Sequence, residues 1–169
     1  MKRIAIQGEL GSFHDITAHQ YFEGEQIELI CCATFEEVFE NIKRDPTVVG
    51  ICAIENTIAG SLLHNYELLR QSGTTVVGEH KLHIEHSICC LPDDDWNTLQ
   101  EVHSHPVALM QCGKFLANHP DFKAVEAEDT AGSAAYIAQH KVHGWAAICS
   151  SYAARMYGMK ILQEGIHDN

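Results

Sequence analysis

The sequence predicts an α/β protein with largely parallel sheets. Short β-rich runs alternate along the chain with amphipathic stretches of about ten residues, which is the pattern of strands joined by helical crossovers. Apolar residues make up 46% of the 169 residues and are spread evenly, which indicates a packed core in one domain or two small lobes. No apolar run approaches the roughly 20 residues that a membrane-spanning helix needs.

The elements are predicted in chain order from these alternations. Strands are predicted where β-branched and apolar residues cluster, at residues 3–7, 27–32, 48–54, 75–91, 101–103, 123–127, 145–149 and 160–164. Helices are predicted where apolar residues recur at helical spacing, at residues 12–22, 35–43, 62–71, 106–118, 130–139 and 151–157. A crossing between two lobes is expected within the long run at 75–91, and a break in that strand is left open.

Helix ends carry the expected signals. Thr34, followed three residues later by Glu37, forms a capping box, and Pro106 suits a first helical turn because its missing N–H costs nothing there. Glycines that follow predicted helices are expected to end them, at Gly73, Gly144 and Gly158.

Charge and cysteine usage narrow the class of function. A formal net charge of −12 disfavours nucleic acid and anionic membranes as partners. The seven cysteines are odd in number and include no Cys-x-x-Cys motif, so free thiols in a reducing compartment are predicted. The first apolar stretch stops at Gln7, too short for a signal peptide, and a cytoplasmic location is predicted.

Four polar, small-residue-rich segments lie where a predicted strand meets a helix. They are residues 8–13, residues 55–61, residues 104–106 with Gln111, and residues 129–133. Ligands of α/β sheets bind beyond the carboxyl ends of strands, and helix N-termini favour carboxylates. Each segment alone is also explained by ordinary capping, but the four together favour a small anionic ligand in a cleft.

Cofactor and metal sites are not expected. The pair Gly8 and Gly11 lacks the third glycine of a dinucleotide fingerprint, so no nicotinamide or flavin cofactor is predicted. His80, His83 and His86 are spaced by three, but the predicted strand places His83 on the opposite face from the other two, which disfavours a zinc site.

The ordered motifs resemble those of prephenate dehydratases from Ile4 to Asn169. They are Gly-x-x-Gly-Ser-Phe, Ile54-Glu55-Asn56-Thr57, Ser104-His105-Pro106-x-Ala108-x-x-Gln111-Cys112, Asp129-Thr130-Ala131 and Tyr157-Gly158-Met159. The resemblance implies two α/β lobes around a cleft, like periplasmic binding proteins of the second type. It also implies a lyase of L-phenylalanine biosynthesis that removes water and carbon dioxide from prephenate to give phenylpyruvate. Lobe 1 is expected at about 1–80 plus the C-terminal strand from about 160, and lobe 2 at about 81–159.

Residue roles are carried over from the resemblance. It implies catalytic roles for Glu55, Asn56 and Gln111, and substrate binding by Ser12, Asn56, Thr57, Ser104, Gln111 and Thr130. Glu55 is the sole carboxylate in these motifs able to handle a proton, and an ion pair is its structural alternative. None of the eleven Lys and Arg residues lies in the four segments, so binding of the prephenate dianion is expected to rest on helix dipoles and neutral donors.

The resemblance also sets expectations for the C-terminus. In the family, the segment that corresponds to residues 166–169 leads to a Thr-Arg-Phe motif and then usually to a regulatory ACT domain, so a truncated catalytic domain is expected, inactive or weakly active by itself. The resemblance implies that the threonine of that motif is a better candidate acid than Glu55 and that its arginine supplies positive charge near the substrate. A chain extended through that motif is expected to bind prephenate more tightly, and the full-length protein to be a homo-oligomer. Arogenate dehydratase and a non-catalytic carboxylate-sensing domain are the alternative functions.

Overall fold

The computed structural model describes residues 1–56 and 60–168 and shows an α/β protein, which confirms the predicted fold class. The chain divides into two compact units. The first holds residues 1–9 and 13–82, and the second holds residues 10–12 and the chain from His83 onwards. Every helix in the described part of the chain is too short or too polar to cross a membrane.

The first unit is built on a parallel sheet with strand order β2-β1-β3. Ile4 and Ile6 on one face pack with Ala18 and Phe22, while Ala5 on the other face joins a second cluster, as the two-residue period of a strand requires. The elements of this unit are β1 (Lys2–Gln7), α1 (Phe13–Tyr21), β2 (Ile27–Cys32), α2 (Phe35–Arg44), β3 (Val49–Gly50), β4 (Glu55–Asn56), β5 (Gly60–Ser61) and α3 (Leu63–Ser72).

The second unit is built on a five-stranded mixed sheet with order β10-β6-β9-β7-β8. Strands β7, β8 and β9 are parallel, and β6 is antiparallel to both of its neighbours, so the prediction of largely parallel sheets fits the first unit better. The elements are β6 (Ser87–Cys90), β7 (Glu101–Ser104), α4 (Pro106–Gln111), α5 (Gly113–Ala117), β8 (Lys123–Glu126), α6 (Thr130–His140), β9 (Trp145–Cys149), α7 (Ser151–Met156) and β10 (Lys160–Gln163).

The C-terminal strand corrects the expected division into lobes. Strand β10 pairs antiparallel with β6, with Ile161 opposite Cys89, and it therefore belongs to the second unit. Ile166 beyond it is buried in the core of the same unit. The expectation that the strand from about residue 160 joins the first lobe is wrong, because its hydrogen-bonding partner is a central strand of the second.

Three predicted elements are shorter or divided in the structure. In the run at 75–91 only Ser87–Cys90 is a strand, since the exposed Val76 and Val77 have no sheet partner to pack against. The predicted strand at 48–54 is reduced to Val49–Gly50. The predicted helix at 106–118 is two helices, which meet at Cys112, where the backbone leaves helical geometry (φ −110°, ψ 27°).

Most of the predicted helix ends are confirmed. Thr34 accepts a hydrogen bond from the backbone N–H of Glu37 (3.2 Å), Pro106 is the first residue of α4, and Gly73 ends α3 in the left-handed region (φ 70°). Helix α6 ends earlier than Gly144, because Lys141 itself adopts the left-handed conformation (φ 50°).

Candidate active site

The segment Glu55–Asn56 forms a short hairpin with Gly60–Ser61 in the first unit. Two hydrogen bonds from neighbouring elements position it. The backbone N–H of Leu62 donates to the carbonyl of Ile54 (2.8 Å), and the buried Asn65 of α3 donates its Nδ2 hydrogen to the carbonyl of Ala53 (2.7 Å). Asn65 lies outside the predicted site segments, because its helical context gives no signal of this contact.

Glu55 is exposed and has a phenol as its partner. The hydroxyl of Tyr66 donates to Oε1 of Glu55 (3.0 Å), and this hydrogen bond raises the pKa of Tyr66. The structural alternative predicted for Glu55, an ion pair, is not the contact that the structure describes. Asn56 is half-buried beside it on β4. Thr57, the next predicted binding residue, lies outside the described residues.

Residues 10–12 are held against α7 in the second unit. The Tyr157 hydroxyl donates to the carbonyl of Leu10, and Ser150, which caps α7, donates to the carbonyl of Gly11 (3.4 Å). Gly11 has φ +93°, and a Cβ there would lie 3.1 Å from the Cβ of Ala153, so only glycine fits. Ser12 is buried immediately after this contact. The first and last motifs of the family resemblance therefore meet at one place.

Ser104 has a structural contact. It is the last residue of β7, is 0% exposed, and donates its hydroxyl hydrogen to the carbonyl of Ile148 in the adjacent β9 (2.6 Å). Its hydrogen is therefore used within the sheet in this structure, and the expected contact with substrate stays a prediction. His105 caps α4 by accepting from the N–H of Val107 (3.1 Å), which is a structural role.

Gln111 is buried at the end of α4 and contacts a histidine that sequence reasoning did not connect with it. The Nε2 atom of His86 lies 2.6 Å from Oε1 of Gln111, and both side chains are buried. An amide oxygen only accepts, so the imidazole donates. Burial is the main cause of the lowered pKa of His86 and outweighs the opposing effect of this hydrogen bond. The three-residue spacing of the histidines gave no indication of this pairing.

The C-terminal residues fix the same pair. The N–H of Ile166 donates to the carbonyl of His86 (3.0 Å), and the N–H of Asp168 donates to the carbonyl of Gln111 (2.6 Å). The N–H of His86 donates to Nδ1 of His167 (3.4 Å). We call His86, Gln111 and His167 the Gln111 cluster. The cluster is therefore held both by the side-chain hydrogen bond between His86 and Gln111 and by backbone hydrogen bonds from the C-terminal residues.

Thr130 begins α6, but the helix N-terminus already carries a carboxylate. Asp129 caps the helix by accepting from the N–H of Gly132 (2.8 Å). Its negative charge satisfies the helix dipole, which weakens the predicted attraction of Thr130 and its N–H for a substrate carboxylate. Thr130 itself is buried, with 8% of its surface exposed.

Five Lys and Arg side chains of the described residues are held in ion pairs. Several basic side chains form ion pairs with acidic neighbours, namely Lys2 with Glu25, Arg3 with Asp45, Arg44 with Glu40, Arg70 with Glu67 and Arg155 with Glu164. Residues 1–56 and 60–168 contain no group of three or more His, Cys, Asp or Glu side chains arranged to hold a metal ion. The donors described in the predicted segments are therefore amides, hydroxyls and backbone N–H groups.

The fold is that of an α/β protein of two compact units. The chain belongs to the prephenate dehydratase family, whose family model, "Prephenate dehydratase", matches residues 4–169. It is 36% identical over 168 residues to arogenate dehydratase 1 of Petunia hybrida, and the match covers 99% of this chain and 39% of the relative. It is 32% identical over 163 residues to the bifunctional chorismate mutase/prephenate dehydratase of Escherichia coli K12, and the match covers 95% of this chain and 42% of the relative.

Solved structures support the fold. The prephenate dehydratase of Arthrobacter aurescens in complex with L-Phe superposes with a TM-score of 0.89 at 21% identity, over 99% of this chain and 56% of that one. GqqA, described as a novel type of quorum quenching acylase, superposes with a TM-score of 0.85 at 28% identity, over 98% of this chain and 60% of that one. The chain thus spans about two fifths of the length of the curated relatives it matches.

Proposed function

We propose that this chain supplies the catalytic framework of a prephenate dehydratase, a lyase that converts prephenate to phenylpyruvate with loss of water and carbon dioxide. The observation that carries the proposal is the carboxamide of Gln111, buried at the end of α4 and hydrogen-bonded to His86. Gln111 lies in the segment that most specifically resembles the family. An uncharged amide donor can bind a dianionic substrate in segments that contain no Lys or Arg.

The proposed chemistry gives each predicted residue a role. Aromatisation of the ring drives loss of the hydroxyl as the ring carboxylate leaves as carbon dioxide. The Gln111 carboxamide binds the anion, the Asn56 amide orients the substrate, and the Glu55 carboxyl group handles the proton that the departing hydroxyl takes up. General acid assistance of this kind contributes about 10²–10⁴-fold in rate. Ser12, Thr57, Ser104 and Thr130 are proposed to complete the binding of substrate.

Arogenate dehydratase is the second candidate, favoured by the names of several relatives. Three plant arogenate dehydratases are 33–36% identical to this chain, slightly above the bifunctional bacterial enzyme at 32%. Arogenate carries an amino group where prephenate carries a keto group. A comparison of kcat/KM for prephenate and arogenate in one preparation distinguishes the two candidate functions.

The decisive assay follows phenylpyruvate formation from prephenate by absorbance in alkali. It compares residues 1–169 with a version extended through the Thr-Arg-Phe segment of the family. Turnover by the extended form supports the dehydratase, and tighter prephenate binding by that form supports the need for an added cation. If both well-folded forms bind a carboxylate ligand but neither turns it over, the proposal is wrong and a sensing domain is indicated.

The proposed setting is the cytoplasm, with a small molecule as the ligand. The seven cysteines are free thiols, which suits a reducing compartment, and the net charge of −12 opposes nucleic acid and anionic membranes as partners. We also propose a homo-oligomer for the full-length protein, which exposed apolar side chains at Leu63, Val76 and Val77 support. Sedimentation equilibrium of the full-length protein tests this, and a monomer at all concentrations contradicts it.

A further inference from the structure

The Glu55 carboxylate has one hydrogen-bond partner in the part of the chain that the structure describes. The hydroxyl of Tyr66 lies 3.0 Å from Oε1 of Glu55, and the phenol donates because an ionised carboxylate only accepts. Neither an ion pair nor a second hydrogen bond to this carboxylate occurs within residues 1–56 and 60–168. The two carboxylate oxygens therefore differ, since Oε1 accepts from the phenol and Oε2 does not.

The phenol is held by the same helix that supports the hairpin. Tyr66 follows Asn65 on α3, and the buried side chain of Asn65 donates to the carbonyl of Ala53 (2.7 Å). The backbone N–H of Leu62, which precedes α3, donates to the carbonyl of Ile54 (2.8 Å). The start of the helix thus contacts three successive residues, and the last contact is the phenol. Because a tyrosine side chain has only two rotatable bonds, the hydroxyl has few alternative positions.

This contact determines which oxygen of Glu55 carries a proton. A protonated carboxyl group has one oxygen that accepts and one that donates. A proton on Oε1 would require the Tyr66 hydroxyl to turn its hydrogen away, whereas a proton on Oε2 leaves the 3.0 Å hydrogen bond intact. Oε2 is therefore the favoured donor atom of Glu55.

The hydrogen bond also acts during proton transfer. In the proposed reaction the Oε2 proton moves to the departing hydroxyl, which leaves as water. The ring carboxylate leaves as carbon dioxide, and its bonding electrons enter the ring. Glu55 becomes a carboxylate in this step, and a hydrogen bond to a charged acceptor is stronger than one to a neutral acceptor. Tyr66 consequently stabilises the charge that Glu55 acquires, which lowers the barrier without adding to substrate affinity.

We propose that Tyr66 is a positioning residue that orients the Glu55 carboxyl group and directs its acidic proton to Oε2, an inference that rests on the proposed dehydratase function. Tyr66 acts through Glu55, and its contribution disappears when residue 55 has no proton to transfer.

The test of catalysis uses Tyr66→Phe in the extended form, which removes the hydroxyl and keeps the ring. We expect kcat for prephenate to fall about five- to tenfold, the effect of one hydrogen bond at an exposed carboxylate, with KM within about twofold of the original. In a Glu55→Gln background, Tyr66→Phe should lower kcat by less than about twofold. Tyr136→Phe, at an exposed tyrosine of α6 outside the four predicted segments, is the matched control and should leave kcat unchanged.

The titration of Tyr66 gives a second readout that needs no substrate. The hydrogen bond to Glu55 is the main cause of the raised pKa of Tyr66, since a phenolate would lose that bond and face a like charge. The difference in phenolate absorbance between the unsubstituted chain and Tyr66→Phe during an alkaline titration isolates this one of the five tyrosines. The corresponding difference in the Glu55→Gln background should show the pKa of Tyr66 lowered toward its ordinary value of 10. Circular dichroism at each pH checks that every form stays folded.

Three results would overturn the proposal. An unchanged pKa of Tyr66 in Glu55→Gln would show that the contact is absent, whatever the activity. An equal fall in kcat with and without Glu55, or a change in KM alone, would show that Tyr66 acts by another route. Absence of turnover in the extended form would overturn the proposed function as well, and the titration would then report separately whether the contact exists.

Discussion

The two segments proposed to act on substrate, Glu55–Asn56 in the first unit and Gln111 in the second, differ in how the structure holds them. Glu55 is exposed on a two-residue strand, and its carboxylate accepts from one phenol at the surface. Gln111 is buried, its side chain bonds to a buried histidine, and its backbone is fixed by the C-terminal residues.

Because of this difference, substitutions in the two segments are expected to affect activity and stability differently. At an exposed position, a side chain can be changed with little effect on folding, so a loss of activity reports on its chemical role. At a buried hydrogen-bonded position, removal of one partner leaves the other unsatisfied, so stability and function fall together. The hairpin is therefore the place to measure chemistry, and the Gln111 cluster is the place to measure coupling between folding and binding.

The largest expected effect is on catalysis at the hairpin. In the extended form, Glu55→Gln removes the ionisable carboxyl group but keeps the size of the side chain, and we expect kcat for prephenate to fall about 10²–10⁴-fold. The midpoint of urea unfolding should stay unchanged, because the residue is exposed. Activity within twofold of the unsubstituted extended form in the phenylpyruvate assay would exclude Glu55 from the mechanism.

A smaller effect, shared by stability and binding, is expected at the Gln111 cluster. Gln111→Leu leaves the His86 donor buried without its acceptor, and we expect the free energy of unfolding to fall by about 1–3 kcal/mol. Urea unfolding followed by circular dichroism measures this, with Glu55→Gln as the matched control. Equal free energies of unfolding for the two variants would contradict the expected difference between the buried and the exposed segment.

Acid should weaken the second unit through His86. Burial holds the pKa of this histidine below its ordinary value of 6.5. Below that pH the unfolded chain takes up a proton that the native chain resists, so stability falls as the pH drops and is unaffected by this group above it. The slope from one proton is at most about 1.4 kcal/mol per pH unit. His86→Gln, which cannot titrate, should show a shallower loss between pH 6.5 and 5; an identical slope would contradict the burial effect.

The smallest effect is expected where α3 supports the hairpin. Asn65→Leu removes the buried hydrogen bond to Ala53, and we expect a loss of about 1 kcal/mol in unfolding free energy. Tyr66→Phe, which removes only the exposed contact to Glu55, is the matched control and should change stability by less than about 0.5 kcal/mol. Hydrogen exchange at Leu62 would show whether the hairpin loosens. A larger loss in Tyr66→Phe than in Asn65→Leu would reverse this order.

Local signals in the sequence were sufficient for much of the fold. Strand and helix alternation predicted β1, β2, β9 and α2 within a residue or so, since periodicity and caps act over a few neighbours. The short hairpin at Glu55–Asn56 was not predicted, because a two-residue strand is too short to show an alternation of apolar and polar residues. The strand at 75–91 was overextended, because exposed Val76 and Val77 carry a strand composition without a strand partner.

The sequence by itself determined the α/β class, the family, and the segments in which Glu55, Asn56 and Gln111 lie, because these depend on residue types in order along the chain. Only the tertiary structure decided that β10 joins the second unit, that the Ser104 hydroxyl is used within the sheet, and that His86 faces Gln111. Each of these is a hydrogen bond between residues at least 25 positions apart. Such pairings depend on how strands and helices pack, and no local period or spacing encodes them.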